Sequence, residues 1–338
     1  MKIFLLAAFS ALCLLNATAQ NKKIVVYRDS TVDDNADSRY ILSYGKALVL
    51  RVFTGNNMSH FNVDGANKDL HYAANFQPNI GFGVSYSFLT ANFSFGVGDP
   101  SEKKGKTNSF SFQSSLYYRK WAADVLIKTY KGMYLKNDVP DVDGYYTNPK
   151  LRSDIFGVDL WRILNPDRFS YKAMMTQNEW QKRSAGSFLI GGEIYYGHVN
   201  AHDSIVPPAI AGTYLQRGVS NLSYVKLGPG IGYAYDFVFQ RHWFIAASFV
   251  ANMDASFNKE IRTSRSRWAF AWQPNYNFRI GAGYNSQNWN INFQYVNNGF
   301  PIRGAITEGK YSQYSGNYRL SFNHRFYLSK RKKKLVDE

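Results

Sequence analysis

Gly230-Ile231-Gly232-Tyr233-Ala234-Tyr235-Asp236-Phe237-Val238-Phe239-Gln240 carries a bulky apolar residue at every odd position. Gly, Ala, Asp and Val fill the positions between them. A side-chain period of two belongs to a strand with unlike faces. In a soluble sandwich the bulky face enters a packed core. In a transmembrane barrel that face meets lipid, and the small or polar face lines the lumen.

The composition favours the second environment. Tyr and Phe number 25 each, Gly 26, and aromatic residues make up 17% of the 338-residue chain. Aromatic girdles and Gly-rich short strands are β signatures. A mean hydropathy of −0.36 excludes a helical membrane protein but not a barrel, which needs apolar residues only at alternate positions. Lys2, the apolar run 3–15 and Ala17-Thr18-Ala19 have the charged, apolar and small-residue parts of a secretory signal cleaved after Ala19. Cys13 lies inside that segment, so the mature chain has no thiol chemistry. Leu12 before it is too bulky for lipoprotein processing.

Residues 20–45 read as a polar lead-in, 46–328 as the barrel and 329–338 as a basic tail. Period-two segments recur at 47–53, 80–88, 109–118, 121–130, 188–196, 243–253, 276–284, 289–295 and 318–328, with weaker ones at 155–164 and 169–175. With short stretches near His60 and Tyr72, about 12 antiparallel strands are expected, an even number because both termini lie in the periplasm. Phe76-Gln77-Pro78-Asn79, Trp272-Gln273-Pro274-Asn275 and Gly228-Pro229-Gly230 read as strand-opening turns, since Pro is tolerated at a strand's first residue. Residues 132–153 are expected to form the longest extracellular loop.

On the inferred lumen face stand Arg51, Lys128, Arg279, Arg319 and Arg325, against Asp124, Asp159, Glu193 and Asp236. Charges at barrel depth persist when paired or wet. A near balance of sign points to a braced interior, whereas a ring of one sign would point to an ion-selective pore. His198, His202, Asp203 and Ser204 are the cluster closest to metal or nucleophile chemistry, but two His four apart meet on one face of a helix, not along a strand running into the Pro207-Pro208 turn, and no third ligand stands at useful spacing. Asp138, Asp141, Asp143 and Gly144 fail the EF-hand spacing, with Val139 and Lys150 where ligands belong. No metal or cofactor is expected. His324, on the lipid side of the last strand, has no partner for hydrolysis by spacing, so a non-enzymatic protein is expected.

The run Lys330-Arg331-Lys332-Lys333-Lys334 is expected as a solvated tail, drawn to anionic headgroups and not to nucleic acid. Arg262, Arg265, Arg267 and Trp268 suit lipopolysaccharide phosphates at an outer rim. Tyr318 to Leu328 resembles the aromatic end strand by which barrel proteins are recognised for outer-membrane insertion, here followed by a tail.

The stretch Phe169-Ser170-Tyr171-Lys172-Ala173, Gln177-Asn178-Glu179-Trp180-Gln181-Lys182-Arg183-Ser184-Ala185-Gly186-Ser187-Phe188, Gly81-Phe82-Gly83-Val84-Ser85-Tyr86 and Lys131-Gly132-Met133-Tyr134 resemble the uncharacterised family domain of unknown function 4421, found in Bacteroidota. The resemblance implies a secreted outer-membrane barrel with no assigned catalytic residues. The residues themselves support a structural barrel or narrow passive pore of the outer membrane first. A surface or envelope-assembly partner comes second, and a lipid-modifying enzyme third. Outer-membrane lipid, lipopolysaccharide or an envelope protein are the partners this location offers.

Overall fold

The computed structural model describes residues 24–27, 36–44, 47–97, 101–140, 142–263, 265–326 and 333–336. The predicted signal peptide and Cys13 lie outside them, as do Asp141 and Lys330 to Lys332. Twelve strands close into an antiparallel ring. They are β1 (Leu48–Val63), β2 (Asn79–Tyr86), β3 (Leu89–Gly96), β4 (Asn108–Tyr117), β5 (Trp121–Leu135), β6 (Thr147–Ile163), β7 (Ala185–Asn200), β8 (Val219–Phe239), β9 (Trp243–Arg262), β10 (Arg265–Asn285), β11 (Trp289–Arg303) and β12 (Lys310–Phe326). The ring shuts where β12 pairs with β1, from Leu48↔Phe326 to Val63↔Tyr311.

Alternation sets the facing throughout. Ile231, Tyr233, Tyr235, Phe237 and Phe239 are exposed on the outer wall, while Ala234 and Asp236 are buried inside. Ile245, Phe249, Phe293, Leu320 and Phe322 continue this outward apolar band. A large exposed apolar band on a closed barrel is stable only against lipid, so the protein is a transmembrane β-barrel of the outer-membrane type. Trp121, Trp243, Trp289 and Phe326 gather at the ends of strands nearest the chain termini, which marks the periplasmic interface.

Some elements differ from the sequence expectation. The long loop shrinks to 136–146, because β5 runs on to Leu135 and β6 begins at Thr147. Pro78 does precede β2, but Pro229 and Pro274 ride inside β8 and β10. Pairing of β8 with β9 is interrupted at Gly228 and Pro229, then resumes at Gly230 in the same register. Pairing of β10 with β11 stops at Tyr276↔Gly299. Two residues further, Pro274 and Pro301 would face each other with no N–H to offer. Above that point β10 leaves β11, while β9 stays paired with β8 up to Val219↔Arg262.

A short strand, Leu70–Ala73, pairs with the upper part of β1 on one side and with Tyr134 and Leu135 of β5 on the other. It bridges the wall above the short strands β2 to β4. On the periplasmic side the lead-in is not merely polar: Ile41–Ser43 pairs with Glu179–Gln181 of the connection between β6 and β7. Lys333–Val336 of the expected solvated tail pairs with Ile24–Tyr27.

Candidate functional site: a sealed, charged lumen

The β6–β7 connection, 164–184, does not turn tightly like the other periplasmic links. It folds inward and plugs the barrel. The expectation of a weak strand at 169–175 is corrected here, since Tyr171–Met175 is a helical turn. Its N-cap is Ser170, whose Oγ accepts from the Ala173 N–H at 3.0 Å, the usual capping geometry. Ser170 Oγ also donates to Glu179 at 2.5 Å, and the Gln181 amide donates to the Arg168 and Arg183 carbonyls. The segment is thus tied to itself. Phe169, Tyr171, Met174 and Met175 are buried against Tyr117, Trp161, Phe244, Val250 and Val296 of the wall.

The carbonyls at the end of this short helix have no intrahelical partners. The wall supplies them. Arg51 Nη2 donates to the Thr176 carbonyl at 2.7 Å, and Gln294 Nε2 to that of Met175 at 2.7 Å. Arg325 Nη2 reaches the Gln177 carbonyl at 3.1 Å. Gln177 itself adopts φ 60°, which turns its carbonyl back to this arginine. Cations at a helix C-terminus also complement its partial negative charge.

Above the plug, side chains cross the lumen. Arg279 of β10 pairs with Asp124 of β5 at 2.7 Å and lies 3.8 Å from Asp159 of β6. Tyr117 and Ser115 donate to Asp124 at 2.8 and 2.6 Å, and Tyr195 to Asp159 at 2.9 Å. Glu193 accepts from the amides of Asn252, Asn275 and Asn277. Higher still, Tyr224 of β8 donates to Gln313 of β12 at 2.7 Å, and Gln313 donates on to Ser153 of β6 at 2.7 Å. The extracellular mouth is closed by Ile205 and Val206 of the loop after β7, packed with Phe61, Tyr72, Phe300 and Tyr311. Glu260 ties down the loop before β12, accepting from the Ile306 and Thr307 backbone and from Tyr311.

Of the nine charges assigned to the lumen from the sequence, eight are buried and Arg319 is half-buried. Arg51 and Arg325 grip plug carbonyls. Arg319 donates to Gln294 at 2.8 Å and lies over the Phe53 ring. Lys128 reaches the Gly316 carbonyl across the lumen at 3.4 Å. Asp236 is buried, with one oxygen that meets no donor among the described residues. Among the described residues, ion pairs between these charges join Arg279 to Asp124 and to Asp159.

Lys226, Asp254 and Glu260 are fully buried interior charges that the sequence reading missed. The signal was present: continuing the alternation backward from Asp236 reaches Lys226, and forward from Asn252 reaches Asp254 and Glu260. The strands are longer than the apolar face that revealed them.

The other candidate clusters do not assemble. His198 sits on the wall of β7 beside Ser223 at 2.9 Å, while His202 is exposed in the next loop beside Asp203 at 2.8 Å. Among the described residues no group of three or more His, Cys, Asp or Glu is placed to hold a metal ion. Asp138 and Asp143 are exposed in the 136–146 loop. Arg262, Arg265 and Arg267 crown the β9–β10 hairpin, with Lys259 over the Trp268 ring at 5.5 Å. His324 lies on the outer wall beside Phe326. At the periplasmic surface Arg39 holds the Asp37 carboxyl down at about 2 through a 2.7 Å ion pair.

The wall also opens along a seam between β3 and β4. β3 and β4 pair only at Leu89↔Leu116, Thr90↔Ser115 and Ala91↔Ser114. Beyond that the inward residues Ser94, Gly96, Ser109 and Ser111 are exposed. Phe93, Phe95, Phe110 and Phe112 form its outer lips. Unpaired strand edges at membrane depth are costly and invite a partner.

Comparison with known proteins gives a family and a loose architectural likeness. The model of the family described as Domain of unknown function (DUF4421) matches residues 35–326. No curated protein matches the chain. The outer membrane protease OmpT from Escherichia coli is similar with a TM-score of 0.41 at 8% identity, over 83% of this chain and 97% of that one. The β domain of the Bordetella autotransporter BrkA gives 0.34 at 8%, over 83% and 100%. A Pseudomonas aeruginosa FadL homologue gives 0.29 at 10%, over 83% and 91%.

Proposed function

The chain belongs to the family Domain of unknown function (DUF4421), and we propose that it serves as a non-enzymatic structural barrel whose lumen is sealed against axial flow. The observation that carries this reading is the inward β6–β7 connection, held by Arg51, Gln294 and Arg325 from three wall strands. A passive pore needs a continuous wet path with sites weak enough to leave. Here a packed helical turn, the Arg279–Asp124 pair and the capped mouth stand in line along the axis. Proteoliposomes loaded with small sugars test it. No swelling beyond empty vesicles is expected, and swelling at the rate of an open porin would sink the sealed-barrel reading. The lipid A and phospholipid profile of a deletion strain is expected to be unchanged; a lost lipid modification would move the protein to the enzymes.

The seam between β3 and β4 favours a second reading, an envelope-assembly partner that adds a strand there. An extended segment would satisfy the free backbone edges, with alternate side chains meeting the serine floor and the phenylalanine lips. A photo-crosslinker placed at Ser111 tests this in whole cells, with Ser187 as the buried control. A protein adduct specific to Ser111 supports the partner, and recovery of lipid adducts alone removes it.

A further inference from the structure

The outer wall of β11, β12 and β1 breaks the apolar rule in its upper half. Outward positions there carry Asn297, Gly299, Gly316, His60 and Asn62, where β9 and β10 still present Phe257, Phe270 and Trp272. The break is concave, a recess of about 440 Å³. Three basic side chains line it: His60 from β1, His71 from the short strand Leu70–Ala73, and Lys136 from the end of β5. Tyr295, Tyr314, Asn62 and Asn297 add hydroxyl and amide donors. Among the described residues no carboxylate lines it.

The fold builds this niche deliberately. Leu70–Ala73 places His71 opposite Asn62, and the Lys136 N–H donates to the His71 carbonyl at 2.9 Å. Residues from β11, β12, β1 and two flanking segments thus converge on one spot. Gly316 of β12 lies ten residues from Phe326 at the periplasmic girdle, a rise of roughly 25 Å at the tilt of such strands. That is the height of the apolar band, so the niche sits at the outer headgroup level. Below it, toward the periplasmic girdle, an apolar trough of about 1030 Å³ runs across β8 to β12, and Phe293 of β11 and Leu320 of β12 line its side nearest the recess.

We propose that this recess binds the phosphorylated saccharide headgroup of an outer-leaflet lipid, whose acyl chains descend over Phe293 and Leu320. A polar recess in a lipid-facing wall carries a desolvation penalty unless a polar group fills it. A basic, carboxylate-free lining selects an anion, and Lys and His donors suit a phosphate. Tyr and Asn around them suit sugar hydroxyls. The apolar trough beneath restricts the ligand to an amphiphile. This goes beyond the sealed barrel and needs only that the outer wall faces lipid. The basic crown at Arg265 and Arg267 lies at the tip of the β9–β10 hairpin and is a separate surface.

Native mass spectrometry of the detergent-purified full chain titrated with bis-phosphorylated lipid A tests the assignment. One lipid A per barrel is expected, retained at least tenfold more strongly than the same lipid stripped of its phosphates. His71→Gln with Lys136→Gln should weaken binding at least tenfold. Heat-modifiable migration of that variant serves as the folding control, and Lys136→Gln alone, in an exposed loop, is the fallback. Arg265→Gln with Arg267→Gln should leave the bound lipid in place. Equal binding of the two lipid forms, binding unchanged in the His71 and Lys136 variants, or loss only on changing the arginine crown would each overturn the proposal. So would a protein, and not a lipid, crosslinked from a probe at Asn297.

Discussion

Arg279 links β10 to two wall strands and to the plug. It reaches Asp124 and Asp159 across the lumen, and Tyr171 of the plug lies under its guanidinium at 5.9 Å. Removing one partner of a buried pair strands the other charge, which costs about 3–5 kcal/mol. Arg279→Met is therefore expected to lower the unfolding free energy by about that much, read as a shifted urea midpoint of heat-modifiable migration. Arg279→Met with Asp124→Leu and Asp159→Asn should recover most of the loss, because neither carboxylate is then left without its cation. A triple variant no better than the single one would mean that the pairs themselves, and not charge compensation, hold the wall. At this scale the sequence was a good guide to which residues point inward, because the strand period has two values only. It was a poor guide to their partners. Arg51 and Arg325 read as charges that need carboxylates, and they meet carbonyls of a segment distant in sequence.

The plug shows why some elements were illegible. Its Phe169, Tyr171, Ala173 and Met175 alternate like a strand, yet all are buried because wall surrounds the segment on every side. Burial without a solvent face removes the periodic signal that distinguishes strand from helix. The Ser170 cap was the available clue, with Ala173 at its N3 position. Replacing residues 166–183 by a short hairpin turn should leave the barrel able to fold, since β6 and β7 pair along Arg152↔Asn200 to Ile163↔Leu189 without the plug. The expected product is a heat-modifiable barrel with lowered stability. The seam between β3 and β4 gives a second element-level test. Continued register would bring Ser94 opposite Ser111. A Ser94→Cys, Ser111→Cys variant should resist disulfide formation under mild oxidant if the edges stay apart. Rapid closure of that crosslink would show that the seam zips shut.

At the scale of the whole molecule two properties matter: the wall faces lipid and the axis is blocked. The first predicts a penalty that depends on depth. Phe249 lies on the outer face of β9, six residues above Trp243, near the middle of the apolar band. Phe249→Arg should cost about 2–4 kcal/mol in folding into vesicles, against about 1 or less for the same change at Trp243. Equal, small effects at both sites would place the wall in water. Fold, facing and location were legible in the sequence because alternate aromatics state them strand by strand. The seal was not, because it arises from contacts between a connection and walls more than a hundred residues away, such as Arg51 with Thr176. The most direct test of that seal is single-channel recording in planar bilayers, comparing the intact protein with the barrel whose residues 166–183 are replaced by a turn. Silence from the intact protein and steps of conductance from the replaced one are predicted. Steady open-channel current from the intact protein, unchanged on replacement, would contradict the account.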